Sequence, residues 1–134
     1  MRLQLVLGVI GRLTRSFAVA FLPPLALALW EHHWRSALFF ACAAAAAALF
    51  GTVASWRYQP PRLFHRAEAM AVVSGTWLVV AGFAAVPFLL YGLDPVSAMF
   101  EAMSGLTMTG ATALKDFTLY DRPFFLWRSM TQWF

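Results

Sequence analysis

Hydrophobic positions in this chain do not alternate with polar ones; they gather into four stretches separated by charge, proline and glycine. A stretch crosses about 30 Å of hydrocarbon when it supplies roughly 20 apolar residues at about 1.5 Å rise each. Ala69 to Tyr91 meets that length with the most continuous run, from Met70, Val72 and Val73 through Trp77 to Val80 and on to Phe88, Leu89 and Leu90. Ser36 to Ser55 also meets it, and its Ala43 to Ala48 run predicts a strong helix former whose small side chains let a neighbouring helix approach closely. The first stretch, about Leu3 to Trp30, is broken by Arg12, Arg15 and Pro23-Pro24, which leaves Ser16 to Trp30 as its uninterrupted part. It spans if the arginines snorkel toward the near headgroups and the helix bends at the prolines. A cleaved signal peptide, suggested by Ala18-Val19-Ala20, is the weaker alternative because two arginines break the apolar region it requires. The fourth stretch, Pro123 to Phe134, is short, holds Arg128, and reads as the opening of a further span.

Composition supports a membrane solvent. Of 134 residues 61% are hydrophobic and 12% charged, with a mean hydropathy of +0.67, against about 45–50% and about 25% in an ordinary soluble domain. The net charge of +4 and a pI near 10.0 do not point to nucleic acid, because the ten basic residues are scattered and form no stripe interleaved with exposed aromatics. They suit membrane topology instead. Arg2, Arg12 and Arg15 precede the first span, and Arg57, Arg62 and Arg66 lie between the second and third, against Arg35 alone between the first and second. The positive-inside rule then places the N-terminus in the cytoplasm and Asp94 on the outer side, where Trp30, Trp34 and Tyr91 form part of an aromatic belt. The lone Cys42, set among alanines, excludes a disulfide framework and reads as a small buried side chain.

The outer segment between Tyr91 and Pro123 carries the chemistry. Asp94 as N-cap and Pro95 at the first helical position start a helix; Val96, Met99, Phe100 and Met103 recur at helical spacing, and Gly105 is expected to end it. At about 17 Å such a helix reaches half-way through a bilayer. Non-helical backbone at that depth, here Thr107-Met108-Thr109-Gly110-Ala111-Thr112, is tolerated only where it lines a cavity. A helix C-terminus pointing at the midplane favours a cation, and carbonyl oxygens of the returning residues could replace ion hydration, with Gly110 free to adopt a positive φ. Glu101, the one acid of this helix, either supports the loop by hydrogen bonding or faces the outer vestibule as a cation attractor, and its helix position behind the loop favours the supporting role. Arg128 either snorkels or pairs with Asp121 or Asp116. Glu31, His32 and His33 lack metal-ligand spacing and read as polar loop residues. No nucleophile–base set or phosphate-cradling loop occurs, so the chain offers no catalytic candidate and implies no cofactor.

The run Phe100-Glu101-Ala102-Met103-Ser104-Gly105-Leu106-Thr107-Met108-Thr109-Gly110-Ala111-Thr112 resembles the first pore loop of the Trk/Ktr potassium-uptake family, membrane subunits of the TrkH type. Leu126-Trp127-Arg128-Ser129-Met130-Thr131-Gln132-Trp133-Phe134 is similar to the start of the helix that follows that loop. The resemblance implies an all-α integral membrane fold: three transmembrane helices, a re-entrant pore helix plus filter loop, and the start of a fourth helix. Residues 1–66 then hold two N-terminal transmembrane helices and a basic cytoplasmic linker, and residues 67–134 the first pore repeat. The resemblance assigns Gly110 as the filter glycine and the carbonyls of Met108 and Thr109 as potassium contacts, with Ala111 following on the outer side. Two departures stand out: the family commonly has threonine at the position of Met108, and it builds its pore from four such repeats in one chain, of which this sequence holds one. The implied function is potassium transport across a bacterial inner membrane, with this chain the N-terminal portion of a subunit that continues beyond mid-helix. A homodimer and a cytosolic nucleotide-binding regulatory subunit are implied partners, beside potassium and the lipid bilayer. The alternatives are a homotetrameric channel with one filter segment per chain, and a small membrane interaction protein acting through small-residue helix faces.

Overall fold

The computed structural model describes residues 2–58 and 63–134, so Arg62 of the expected inner linker lies outside the described residues. Among these residues the fold is all helical: α1 (Leu3–Phe17), a 3-10 turn (Ala18–Phe21), α2 (Leu22–Trp30), α3 (Trp34–Ser55), α4 (Arg66–Leu90), α5 (Pro95–Leu106), a 3-10 turn (Phe117–Leu119) and α6 (Arg122–Thr131). Three helical runs, Leu3–Trp30, Trp34–Ser55 and Arg66–Leu90, are long and apolar enough to cross a membrane. The first is one continuous rod of α1, turn and α2. Pro23 and Pro24 carry no N–H, so the carbonyls of Val19 and Ala20 lose their partners four residues on, and the chain tightens into the 3-10 turn just ahead of them.

Local contacts fix the directions of the helices. Arg2 meets Glu68 and Ile10 lies against Gly75, so α1 and α4 run parallel; Gly8 faces Tyr58 and Gly11 faces Ala54, so α3 runs antiparallel to α1. The α1–α3 crossing is nearly backbone to backbone: a Cβ on Gly51 would stand 2.5 Å from the Gly11 carbonyl oxygen, and one on Gly11 2.6 Å from the Ala54 Cβ. In lipid, where apolar burial gives helices little reason to associate, such close approach supplies the van der Waals contact that does. The alanine run contributes through Ala43 and Ala47, which are fully buried, but the tightest contact lies one turn further on. Cys42 is exposed, not buried as expected from its alanine neighbours. It stands one residue, about 100° of helix rotation, away from the face that Ala43 and Ala47 turn inward.

The core is aromatic. Phe21, Phe40, Phe88, Phe124 and Trp127 are fully buried; Phe21 stacks on Trp127 at 4.4 Å, and the Trp127 Nε1–H donates to the Ala84 carbonyl at 3.0 Å. That bond gives a buried indole its partner and seats α6 on α4. One end of the bundle gathers Arg2, Tyr58 and Glu68; the other gathers Glu31, Ser36, Tyr91 and Asp121. At the second end Asp121 ties three helices: its carboxylate caps α6 by accepting from the Phe124 N–H at 3.2 Å, accepts from the Tyr91 hydroxyl at 2.7 Å, and accepts from the Ser36 hydroxyl of α3. Burial, together with the adjacent Asp121, holds the Tyr91 hydroxyl well above the usual phenol range, which keeps it a donor. Tyr91 packs edge-on against Phe39, Phe40 and Phe124, while Trp30 and Trp34 are exposed.

Candidate functional site

The start of α5 is the local chemistry the sequence predicts. The Asp94 carboxylate accepts from the Ser97 N–H at 3.1 Å with Pro95 in the first turn, and bonds from Ser97 hold this carboxyl below the usual carboxylate range. Its end differs from expectation. Gly105 does not terminate the helix, which runs to Leu106. Thr109 N–H returns to the Ser104 carbonyl at 2.9 Å and Met108 N–H to the Gly105 carbonyl at 2.9 Å, the paired bonds of a Schellman end with Met108 at the left-handed position, φ +58°. Gly105 is instead taken up by packing: a Cβ there would overlap the Thr131 hydroxyl of α6.

A methionine in the left-handed region costs about 1–2 kcal/mol that a glycine would not. In thermal unfolding in detergent, Met108→Gly should melt at or above the parent. Met108→Val should melt several degrees lower, because a β-branched residue tolerates positive φ worst. Equal melting of the two variants would remove the left-handed assignment.

Beyond Met108 the chain retraces the helix, one turn at a time. The Ser104 hydroxyl donates to the Ala111 carbonyl at 2.6 Å. One turn earlier on α5, Glu101 Oε1 accepts from the Thr112 hydroxyl and the Ala113 N–H, each at 2.6 Å. Earlier still, Ala113, Lys115 and Asp116 share a cleft with Asp94 and Ser97 at the start of α5. The segment thus leaves and returns at one end. Glu101, 1% exposed, is the centre of this arrangement, since its Oε2 accepts from the Arg128 Nε of α6 at 3.0 Å. This is the supporting role expected of Glu101, whereas Arg128 pairs with it and with neither Asp121 nor Asp116. Both aspartates are occupied as caps, Asp121 for α6 and Asp116 for the turn at Thr118.

The four expected ion contacts lie together on this return. Met108, Thr109, Gly110 and Ala111 are all exposed. Among the described residues no protein donor reaches the carbonyls of Met108, Thr109 or Gly110, while that of Ala111 has one lone pair taken by Ser104. Gly110 has φ +73° and open space where a Cβ would stand. Thr107 and Thr109 hydroxyls meet at 2.8 Å, and Thr107 donates back to the Met103 carbonyl at 2.7 Å. Sequence reasoning missed Ser104, Thr112 and Thr131 as parts of this support. Ser104 stands three residues after Glu101 and Thr131 three after Arg128, so each pair lies on one helix face, whereas Thr112, outside any helix, carried no such signal. His33 and Glu31 approach at 3.8 Å, Arg122 pairs with Glu31 at 3.0 Å, and no cluster able to hold a metal occurs among the described residues.

No family model matches the chain. Among individual proteins, it is 29% identical over 99% of its length to the Trk system potassium uptake protein TrkH of Halomonas elongata, of which it spans 28%. Half of the chain is 36% identical to TrkH of Escherichia coli, over 14% of that protein. TrkI of Halomonas elongata is 29% identical over 66% of the chain and 18% of its own length. The chain thus covers well under a third of these relatives, all named as potassium uptake proteins and none as an enzyme. With Glu101 bonded to Arg128 and Gly105 packed on Thr131, the two motifs meet in a chain that is similar to the TrkH-type potassium uptake proteins over a segment of their length.

Proposed function

We propose that this chain supplies one potassium-coordinating segment of a Trk-type uptake subunit, with α5 as a re-entrant pore helix and the carbonyls of Met108, Thr109 and Gly110 as ion ligands, Ala111 closing the outer side. The observation that carries the reading is a short row of carbonyls, Met108 to Gly110, left without protein donors between a helix end closed on Ser104 and Gly105 and a return held by Ser104 and Glu101. Unpaired backbone carbonyls at membrane depth need a partner, and a dehydrated cation is one. Positive φ at Met108 and Gly110 but not at Thr109 breaks the alternation of carbonyl direction found in an extended strand, which favours ligands on one side. One such segment is a fraction of a ring; the rest comes from further repeats. In this reading the N-terminus faces the cytoplasm of a bacterial inner membrane, and the complete subunit forms a homodimer served by a cytosolic nucleotide-binding regulatory subunit.

The test is a chimera in which this chain replaces the matching stretch of Halomonas elongata TrkH in a cell deficient in potassium uptake. The chimera should restore growth at low potassium and take up rubidium. Gly110→Ser should cut that uptake about tenfold, a strain of about 1–2 kcal/mol at the ligand backbone. Gly82→Ser, with open space at its Cβ and no positive φ, should leave it unchanged. Undiminished uptake by the Gly110 variant rules the filter out. Rubidium flux through liposomes holding the 134-residue chain alone would favour the four-copy channel, and inhibition of a native transporter by the chain would favour the interaction protein.

A further inference from the structure

At the end of the bundle that gathers Arg2, Arg12, Arg57 and Arg66, charge is unbalanced. Glu68 is the one acid there, and it is fully engaged by Arg2, whose backbone N–H, Nε and Nη2 all donate to it. Arg12 lies over the Tyr58 ring at 5.4 Å. Arg57 has no carboxylate partner among the described residues. It lines a groove of about 510 Å³ between α1 and α3, together with the polar or amphipathic Gln4 and Trp56 and the apolar Leu7, Phe50 and Val53. Trp56 is 79% and Val53 66% exposed.

We propose that this groove binds an anionic phospholipid, its phosphate on Arg57 with the Gln4 amide and the Trp56 indole beside it, and its acyl chain along Leu7, Phe50 and Val53. The charge argument supplies the headgroup: an unpaired guanidinium in a cluster whose one carboxylate is already spent takes an anion. The apolar walls supply the tail. Leu7, Phe50 and Val53 belong to helical runs long and apolar enough to cross the membrane, so a free phosphate would leave the apolar part of the groove uncovered. Trp56 sits where an amphipathic ring marks the headgroup level. The inference rests on the membrane-spanning helices and not on the filter, so it stands or falls separately from the proposed transport role.

The test is native mass spectrometry of the chain in detergent, titrated with dioleoyl-phosphatidylglycerol or dioleoyl-phosphatidylcholine. Phosphatidylglycerol should be retained more strongly, and Arg57→Gln should lower its retention about fivefold, the effect of one guanidinium near an anionic headgroup. Arg35→Gln, at the opposite end, should leave it unchanged. Val53→Trp, which fills the groove from an exposed position, should lower retention of both lipids; inorganic phosphate should not displace the bound lipid. Equal retention of the two lipids, or a preference untouched by Arg57→Gln, overturns the proposal. Phosphatidylglycerol retention undiminished by Val53→Trp shows headgroup adsorption without a groove and overturns it as well. Circular dichroism of both variants should match the parent, since neither side chain makes a buried contact to lose.

Discussion

Replacing Glu101 with Leu should destabilise the chain by about 3–5 kcal/mol, the largest single-residue effect expected in this fold. The carboxylate is 1% exposed and Arg128 19%, so removing the anion leaves a largely buried guanidinium without its counter-charge. It also strips the acceptor from the Thr112 hydroxyl and the Ala113 N–H; both residues are exposed, so water takes over and each lost bond costs about 0.5–1.5 kcal/mol. Glu101→Gln separates the two losses. An amide oxygen can still accept from Thr112 and Ala113, but its NH2 then faces the guanidinium, so the loop bonds persist while the pair is broken. Hydrogen exchange at Ala113 should therefore quicken strongly in Glu101→Leu and little in Glu101→Gln. Arg128→Met alone strands the carboxylate and should cost a similar amount to Glu101→Leu, whereas the double variant Glu101→Leu with Arg128→Met should cost less than the sum by about 2 kcal/mol or more. Strict additivity of the single variants, measured by unfolding in detergent, would show that the contact carries no coupling.

That pairing marks the boundary between what the sequence discloses and what it does not. Span lengths were legible because the apolar runs exceed the bilayer thickness, and α3 and α4 begin only two or three residues before the stretches read from the sequence, Trp34 against Ser36 and Arg66 against Ala69. The start of α5 was legible because Asp94 and Pro95 act within one turn. Glu101 was placed behind the loop by its helix position alone. The end of α5 was not legible, because a glycine near a helix terminus has two uses that local sequence does not separate: a left-handed cap or a gap for a neighbour. Gly105 serves the second use, and Met108 takes the left-handed position at a cost.

Face assignments failed for a related reason. In water an apolar side chain is a statement about burial, but in lipid an outward face is as apolar as an inward one. Cys42 among alanines therefore carried no information on which way it points. Arg128 was read against acids near in sequence, Asp121 and Asp116, although its partner lies across the hairpin on α5. Helical spacing gives the face a residue shares. It does not say which helix that face will meet.

Gly105→Ala should destabilise the chain by about 1–3 kcal/mol even though alanine is the better helix former. The added methyl would overlap the hydroxyl of Thr131, itself fully buried, and stand 2.7 Å from its Cβ. Both atoms are fixed to helix backbones, so overpacking wins over a propensity gain of about 1 kcal/mol. Gly110→Ala should cost a comparable amount for a different reason. Nothing stands near its Cβ, but φ +73° is unfavourable to any L side chain. The two causes part in the double variants: Thr131→Gly vacates the overlapping atoms and should recover most of the Gly105→Ala loss, while doing nothing for Gly110→Ala. Failure of that rescue would mean that α5 and α6 are not in register at Gly105. If the register is right, Gly105→Ala in the transport chimera should lower rubidium uptake without touching an ion. A methyl that pushes α5 from α6 lengthens the Arg128–Glu101 bond, and Glu101 is the group that holds Thr112 and Ala113, and with them the return of the loop.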